Sequence, residues 1–296
     1  MMIVTRFAPS PTGRLHLGHA YSAVRAHDLA REHGGAFLLR IEDIDPGRAR
    51  AEHVDSILAD LLWLGLEWDD EISYQSERLD LYSDALDRLK RDGLVYPCFC
   101  TRAEVAAEIA ASASAPHPSS ESGGTEGPVY PGTCRHLPPG ERSGRMKERT
   151  HAWRLDMERA IRSAGPLSWR QGDREIQAEP ASFGDVVLAR KDAPASYHLA
   201  VTVDDSAQQV TDVVRGRDLR PSTHVHRLLQ ALLELPSPIY HHHALLVDEQ
   251  GCRLAKRHGA PTLADLRAAG TDPEKLVEQL RTGQLPAGYS LADERR

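Results

Sequence analysis

Over the first 93 positions the apolar residues alternate between two rhythms. Met2 to Phe7 is a short, largely apolar run that predicts a buried strand, and Pro9-Ser10-Pro11-Thr12-Gly13 predicts a loop. Gly18 to His33 predicts a helix closed by Gly34-Gly35, and Ala36 to Ile41 a second apolar strand that ends in Glu42-Asp43-Ile44-Asp45. Val54, Ile57, Leu58, Leu61 and Leu62 then recur at helical spacing. After Ser76, a candidate N-cap, Leu79, Leu81, Tyr82, Ala85, Leu86 and Leu89 repeat that rhythm up to Gly93. Strand and helix in alternation predict an α/β fold with a doubly wound parallel sheet. Ligands of such sheets lie beyond the carboxyl ends of the strands, where the 7–16 loop and the 42–45 acids fall.

The pattern changes after Leu94. Thr101 and Glu104 match a capping box for a short helix, and Ser, Gly and Pro then dominate from Ala111 to Pro131, so 102–129 reads as a flexible loop. Asp185 to Leu188 and Leu199 to Val203, the latter before Asp204-Asp205, predict strands. Residues 1–93 and 195–250 are thus expected to build the sheet domain, with 94–194 inserted between its halves. Two short helices are expected around Leu263–Ala269 and Pro273–Leu280, within a last part spanning 251–296. No internal repeat is visible.

At 296 residues and 41% hydrophobic content, the chain can bury a sizeable core. No apolar run is long enough to span a bilayer and the first strand begins at once, so a cytoplasmic location is expected. The net charge of -7 argues against broad electrostatic coating of nucleic acid. Basic residues still concentrate between Arg135 and Arg154 and between Arg215 and Arg227, as local contact faces or as ordinary solvated ones. Four cysteines, two of them in a Cys98-Phe99-Cys100 pair, suggest a metal site or reduced structural thiols rather than disulfides.

The candidate chemistry begins at His16-Leu17-Gly18-His19, where a helix start supplies backbone amides and two imidazoles suited to phosphate oxygens. With its flank from Arg6 to Leu15, this stretch closely resembles the opening signature of class I aminoacyl-tRNA synthetases, in their glutamyl and glutaminyl branch. The resemblance implies a Rossmann-type catalytic domain that binds ATP with magnesium through His16, Gly18, His19 and Lys256. His16, His19 and Lys256 would be its catalytic residues. Lys256 lies in Arg253-Leu254-Ala255-Lys256-Arg257, which is similar to the second family signature, with Arg253 in place of the usual first lysine and Ala255 in place of the usual serine. The family pattern also places an amino-acid pocket on Arg6, Ser10, Glu42, Tyr197 and Arg215. Two guanidiniums, a carboxylate and a phenol match a substrate with two carboxylates and one ammonium, which favours L-glutamate over glutamine.

In this branch some members carry zinc in the inserted segment, now read as an acceptor-type subdomain. The resemblance implies one structural Zn2+ held by Cys98, Cys100, Tyr130 and Cys134, although the spacer between Cys100 and Tyr130 is longer than the family's. Cys252 is read as structural or incidental, and His241-His242-His243 is set aside because neighbours on a strand point to opposite faces. Only 39 residues follow Arg257, too few for the large anticodon-binding domain of the branch. The chain is therefore expected to resemble its truncated members, which activate glutamate and esterify it to the queuosine base at the wobble position of tRNA(Asp), here as a monomer. A minimal synthetase charging tRNA 3′ ends, a silent tRNA- or nucleotide-binding module, and a nucleotidyltransferase acting on another acid are the competing readings.

Overall fold

The computed structural model describes residues 2–113, 129–254 and 261–292. Its first half follows the sequence rhythm in β1 (Val4–Phe7), α1 (Leu17–Glu32), β2 (Ala36–Ile41) and α2 (Ala51–Trp63), adds a strand that the sequence did not predict, β3 (Asp69–Tyr74), and continues as expected in α3 (Leu79–Arg91). β1, β2 and β3 pair in parallel, with Val4 opposite Ala36 and Phe7 opposite Leu39. The turn between α1 and β2 depends on two glycines. Gly34 adopts φ +61°, and a side chain at Gly35 would place its Cβ 2.1 Å from the carbonyl oxygen of Ile3.

The second half holds β4 (Val95–Cys98), α4 (Arg102–Ala113), α5 (Pro139–Glu148), β5 (Ala152–Leu155), α6 (Met157–Ala164), β6 (Ser168–Gln171), β7 (Arg174–Gln177) and β8 (Val187–Ala189). It continues through α7 (Tyr197–Ala207), β9 (Asp212–Gly216), α8 (Ser222–Leu232), β10 (Ile239–His243), β11 (Leu246–Asp248), α9 (Leu263–Ala268), α10 (Pro273–Thr282) and β12 (Tyr289–Leu291). β9, β10 and β6 run parallel, and β7 closes that edge as a hairpin with β6. Thr211 stitches the two parallel sheets together. Its amide donates to the Val4 carbonyl at 3.0 Å, and its hydroxyl accepts from the Val4 amide at 2.8 Å. The resulting order β3-β2-β1-β9-β10-β6 is a Rossmann-like arrangement with its switch point between β1 and β9.

Several expectations change. Leu199 to Val203 is not a strand but the centre of α7, whose residues from His198 to Asp205 are all buried. A short apolar run carries no period when every face is covered, and here α7 packs Leu199, Ala200 and Val203 against Leu86, Leu89, Leu228 and Leu229. Ser76 does not cap α3, because its amide and hydroxyl both donate to the Asp43 carboxylate, at 2.8 and 2.7 Å; Arg78 precedes the helix instead. Of the expected 102–129 loop, the part 102–113 is helical, launched by the Thr101–Glu104 capping box and continued by alanines. Residues 114–128 lie outside the described ones.

Within 94–194, β4, β5 and β8 form a separate antiparallel sheet, whereas β6 and β7 join the edge of β10. The expected strand at Asp185 begins only at Val187. Asp185 itself is buried, accepting from Arg135 at 2.8 Å and the Met157 amide at 3.0 Å as well as from Tyr96. The two expected C-terminal helices are α9 and α10, and their Leu263, Leu276, Val277 and Leu280 complete the core around α1, β1 and β2. No described helix is long and apolar enough to cross a membrane.

Candidate active site

A cleft of about 430 Å³ opens at the carboxyl ends of β1 and β9. At one end stands the N-terminus of α1. His16 is the N-cap: its Nδ1 accepts from the Gly18 amide at 3.1 Å, while Nδ1 of His19 accepts from the His16 amide at 3.1 Å. The exchange is a capping box made by two imidazoles. Since Nδ1 is the acceptor in both rings, each neutral ring carries its proton on Nε2. The rings lie 3.8 Å apart between centroids, and both line the cleft. Gly18 sits tight under its own cap, since a Cβ there would come within 3.0 Å of the His16 ring.

At the other end the five expected amino-acid contacts, Arg6, Ser10, Glu42, Tyr197 and Arg215, all line the same cleft. Arg6 is buried and gives two hydrogen bonds to Asp205, at 3.0 and 3.3 Å. Asp205 also receives Nη2 of the fully buried Arg40. Against the cost of burial, the two guanidiniums hold the Asp205 carboxyl below the usual range. The neighbouring Asp204 accepts from Gln75, Arg78 and Tyr82 at 2.8, 2.7 and 2.8 Å, which fixes the α7 end of this network. Burial pushes the Glu42 carboxyl up to about 7, against the pull of Arg40 and Arg6. Ser10 donates to it at 3.4 Å. Arg215 donates to the Tyr197 hydroxyl at 3.1 Å, and burial raises the Tyr197 phenol despite that neighbour.

Sequence reading missed Asp205, Arg40, Thr223, His226 and His242, which hold the two cleft guanidiniums or their partners. The available signal for Asp204-Asp205 was a pair of acids after an apolar run, and helix α7 turns both inward. The histidine run does lie on a strand, β10, and its members diverge: His241 contacts Asp212 at 2.7 Å, His242 contacts Arg215 at 3.2 Å, and His243 contacts Ser22 at 2.6 Å. Arg253 reaches the cleft and pairs with Asp218 at 2.8 Å. Ala255 and Lys256 lie outside the described residues.

A second cluster sits between β4 and the segment at Tyr130. The Sγ atoms of Cys98, Cys100 and Cys134 all lie within 4.8 Å of one another. The Tyr130 hydroxyl stands 3.5 and 3.4 Å from Cys98 and Cys100 and accepts the Cys134 amide at 3.0 Å. The Phe99 amide donates to Cys134 Sγ at 3.4 Å, and the Arg154 guanidinium covers the Tyr130 ring at 3.8 Å. Cys252 is exposed and stands apart from this cluster. Several arginines of the basic stretches serve the fold: Arg142 and Arg154 donate to backbone carbonyls, Arg145 pairs with Glu141, and Arg227 donates to Ser168.

Residues 2–291 match the family described as tRNA synthetases class I (E and Q), catalytic domain. A glutamyl-Q tRNA(Asp) synthetase of Rhodobacter capsulatus is 48% identical over 276 residues, covering 92% of this chain and 97% of the relative. One from Symbiobacterium thermophilum is 46% identical, covering 94% and 85%. The glutamate–tRNA ligase of Aquifex aeolicus is 37% identical over 94% of this chain but only 56% of its own length. Among solved structures, a glutamate tRNA ligase from Elizabethkingia meningosepticum in complex with its amino acid superposes with a TM-score of 0.78, at 26% identity, over 96% of this chain and 61% of that one. The histidine-capped α1, the parallel sheet and these likenesses agree: the chain belongs to the class I tRNA synthetases of the glutamate and glutamine branch, through their catalytic domain.

Proposed function

We propose that this ATP-dependent ligase activates L-glutamate to glutamyl-adenylate and transfers the glutamyl group to the queuosine base at the wobble position of tRNA(Asp). The observation that carries the reading is the meeting of two residue sets in one cleft, His16, Gly18 and His19 at one end and Arg6, Ser10, Glu42, Tyr197 and Arg215 at the other. The names of the relatives that match nearly end to end support the acceptor.

In this reading Glu42 and Ser10 receive the substrate ammonium, and Arg6, Tyr197 and Arg215 receive its carboxylates. The α-carboxylate attacks the α-phosphate of ATP in line and pyrophosphate leaves. Nε2–H of His16 and His19 donates to the oxygens gathering charge. Lys256 steadies the β- and γ-phosphates, and magnesium enters with ATP as part of the substrate. A hydroxyl of the cyclopentene-diol then attacks the acyl carbon, AMP leaves, and an ester remains on the base; juxtaposition of the two reactants carries much of the rate.

Within 94–194 the β4-β5-β8 sheet and the Cys98–Cys134 cluster act as the acceptor-type subdomain, while β6 and β7 extend the catalytic sheet built by 1–93 and 195–250; the signature loop and C-terminal helices of 251–296 follow. Three soft thiols and a phenol converging without a disulfide fit zinc, and Cys98, Cys100, Tyr130 and Cys134 would hold one ion per chain. Its contribution there would be structural. Metal analysis of purified protein should find one zinc per chain; none after metal-replete expression would leave a reduced thiol cluster. The enzyme works as a cytoplasmic monomer.

ATP–pyrophosphate exchange with glutamate and without tRNA tests the first step, and it should disappear in Lys256→Ala. Transfer of labelled glutamate to tRNA(Asp) with and without queuosine tests the second. Label that survives removal of the terminal adenosine supports the reading; label on the 3′ end of tRNA(Glu) would replace it with a minimal synthetase. No exchange with any amino acid would leave a silent binding module.

A further inference from the structure

Arg215 is 5% exposed at the end of β9, yet among the described residues no carboxylate pairs with it. Every group it touches is neutral. Nε donates to His242 Nε2 at 3.2 Å, Nη2 to Thr223 Oγ1 at 2.7 Å, and Nη1 to the Tyr197 hydroxyl at 3.1 Å, with Nδ1 of His226 at 3.4 Å from Nη1. Gln171 on β6 explains how His242 can accept. Its Oε1 takes the proton-bearing Nδ1 of His242 at 2.5 Å, which turns the Nε2 lone pair toward Arg215. Burial, then the Arg215 charge, pushes His242 down to about 2 and His226 well below its ordinary value, which favours the neutral form of both rings. Arg6, at the same end of the cleft, is tied twice to Asp205. A buried guanidinium without a counter-charge is costly unless a ligand supplies one.

We infer that Gln171, His242, Thr223 and His226 form a charge-neutral cage that reserves the positive charge of Arg215 for the ligand, and thereby selects a carboxylate side chain over its neutral amide isostere. The inference rests on the proposed activation of glutamate and adds to it a set of specificity-determining residues that act through Arg215. Among them Gln171 comes from the hairpin of the inserted segment, 71 positions before His242.

The test compares kcat/KM for glutamate and for glutamine in ATP–pyrophosphate exchange. Thr223→Asp places an acid beside Nη2 and is expected to lower the glutamate-to-glutamine ratio at least about tenfold, chiefly by raising KM for glutamate. Thr223→Asn, of the same size and uncharged, should keep the ratio within about threefold of wild type. Thr223 is fully buried, so thermal melting accompanies both variants; if the acid prevents folding, His242→Glu against His242→Gln carries the same comparison. A folded acidic variant with the wild-type ratio overturns the cage. Equal loss of the ratio in the acidic and amide variants also overturns it, because packing and not charge would then be at work. Absence of glutamate-dependent exchange in wild type would overturn the functional reading and the inference with it.

Discussion

At the nucleotide end of the cleft, His16 and His19 hold each other within one helical turn, whereas at the amino-acid end Arg6 depends on Asp205, 199 positions away. One end is made by local backbone chemistry and the other by the closure of the sheet. The difference separates two kinds of fragility. A local cap loses function without loosening the fold, while a remote ion network couples substrate binding to global stability.

The largest expected effect follows from removing the remote counter-charge. Asp205→Asn leaves Arg6 and the fully buried Arg40 facing each other, and a stability loss of about 3–5 kcal/mol is expected in denaturant unfolding. A loss below about 1 kcal/mol would mean that the two ends do not differ in kind. At the local end, His16→Asn keeps a good N-cap and removes the Nε2–H. Exchange should fall about 100-fold at unchanged melting temperature. An unchanged rate would take His16 out of the chemistry.

Acidification acts on the amino-acid end through Glu42. Folding raises Glu42 from its ordinary 4.5 to about 7, so protonation between pH 8 and pH 6 removes the partner of the substrate ammonium. KM for glutamate should rise about tenfold over that range. The fold is not the cause: stability contributed by a raised carboxyl is full below 4.5 and is lost as pH rises through about 7, so acid favours the folded state at this group. An unchanged KM for glutamate across that range would contradict the role of Glu42. The smallest effect is expected for Gly18→Ala. Its methyl meets the His16 ring at 3.0 Å, so exchange should drop about threefold, while the gain in helix propensity keeps the melting temperature from falling.

What was legible in the sequence follows the same division. His16, Gly18 and His19 form a contiguous word whose geometry is set by neighbouring amides, and β1, α1, β2, α2 and α3 announce themselves by period, whereas the half-exposed strand β3, with Asp69-Asp70-Glu71 at its start, was not foreseen. Arg6, Glu42, Tyr197 and Arg215 could be named only through the family pattern. Their partners were hidden because a pairing such as Arg40 with Asp205 leaves no trace in local spacing. Helix α7 was misread for a related reason: burial on all sides erases the polar face that reveals a helical period.

The stitch between Val4 and Thr211 has a consequence for the newborn chain. Arg6 and Arg40 leave the ribosome long before Asp205, and at about 5–20 residues per second the wait for the counter-charge is on the order of 10 to 40 s. During that time the first three strands carry two arginines destined for burial without the Asp205 carboxylate that both will bind. The N-terminal half therefore cannot close its buried ion network, and with it the amino-acid end of the cleft, before α7 has been translated.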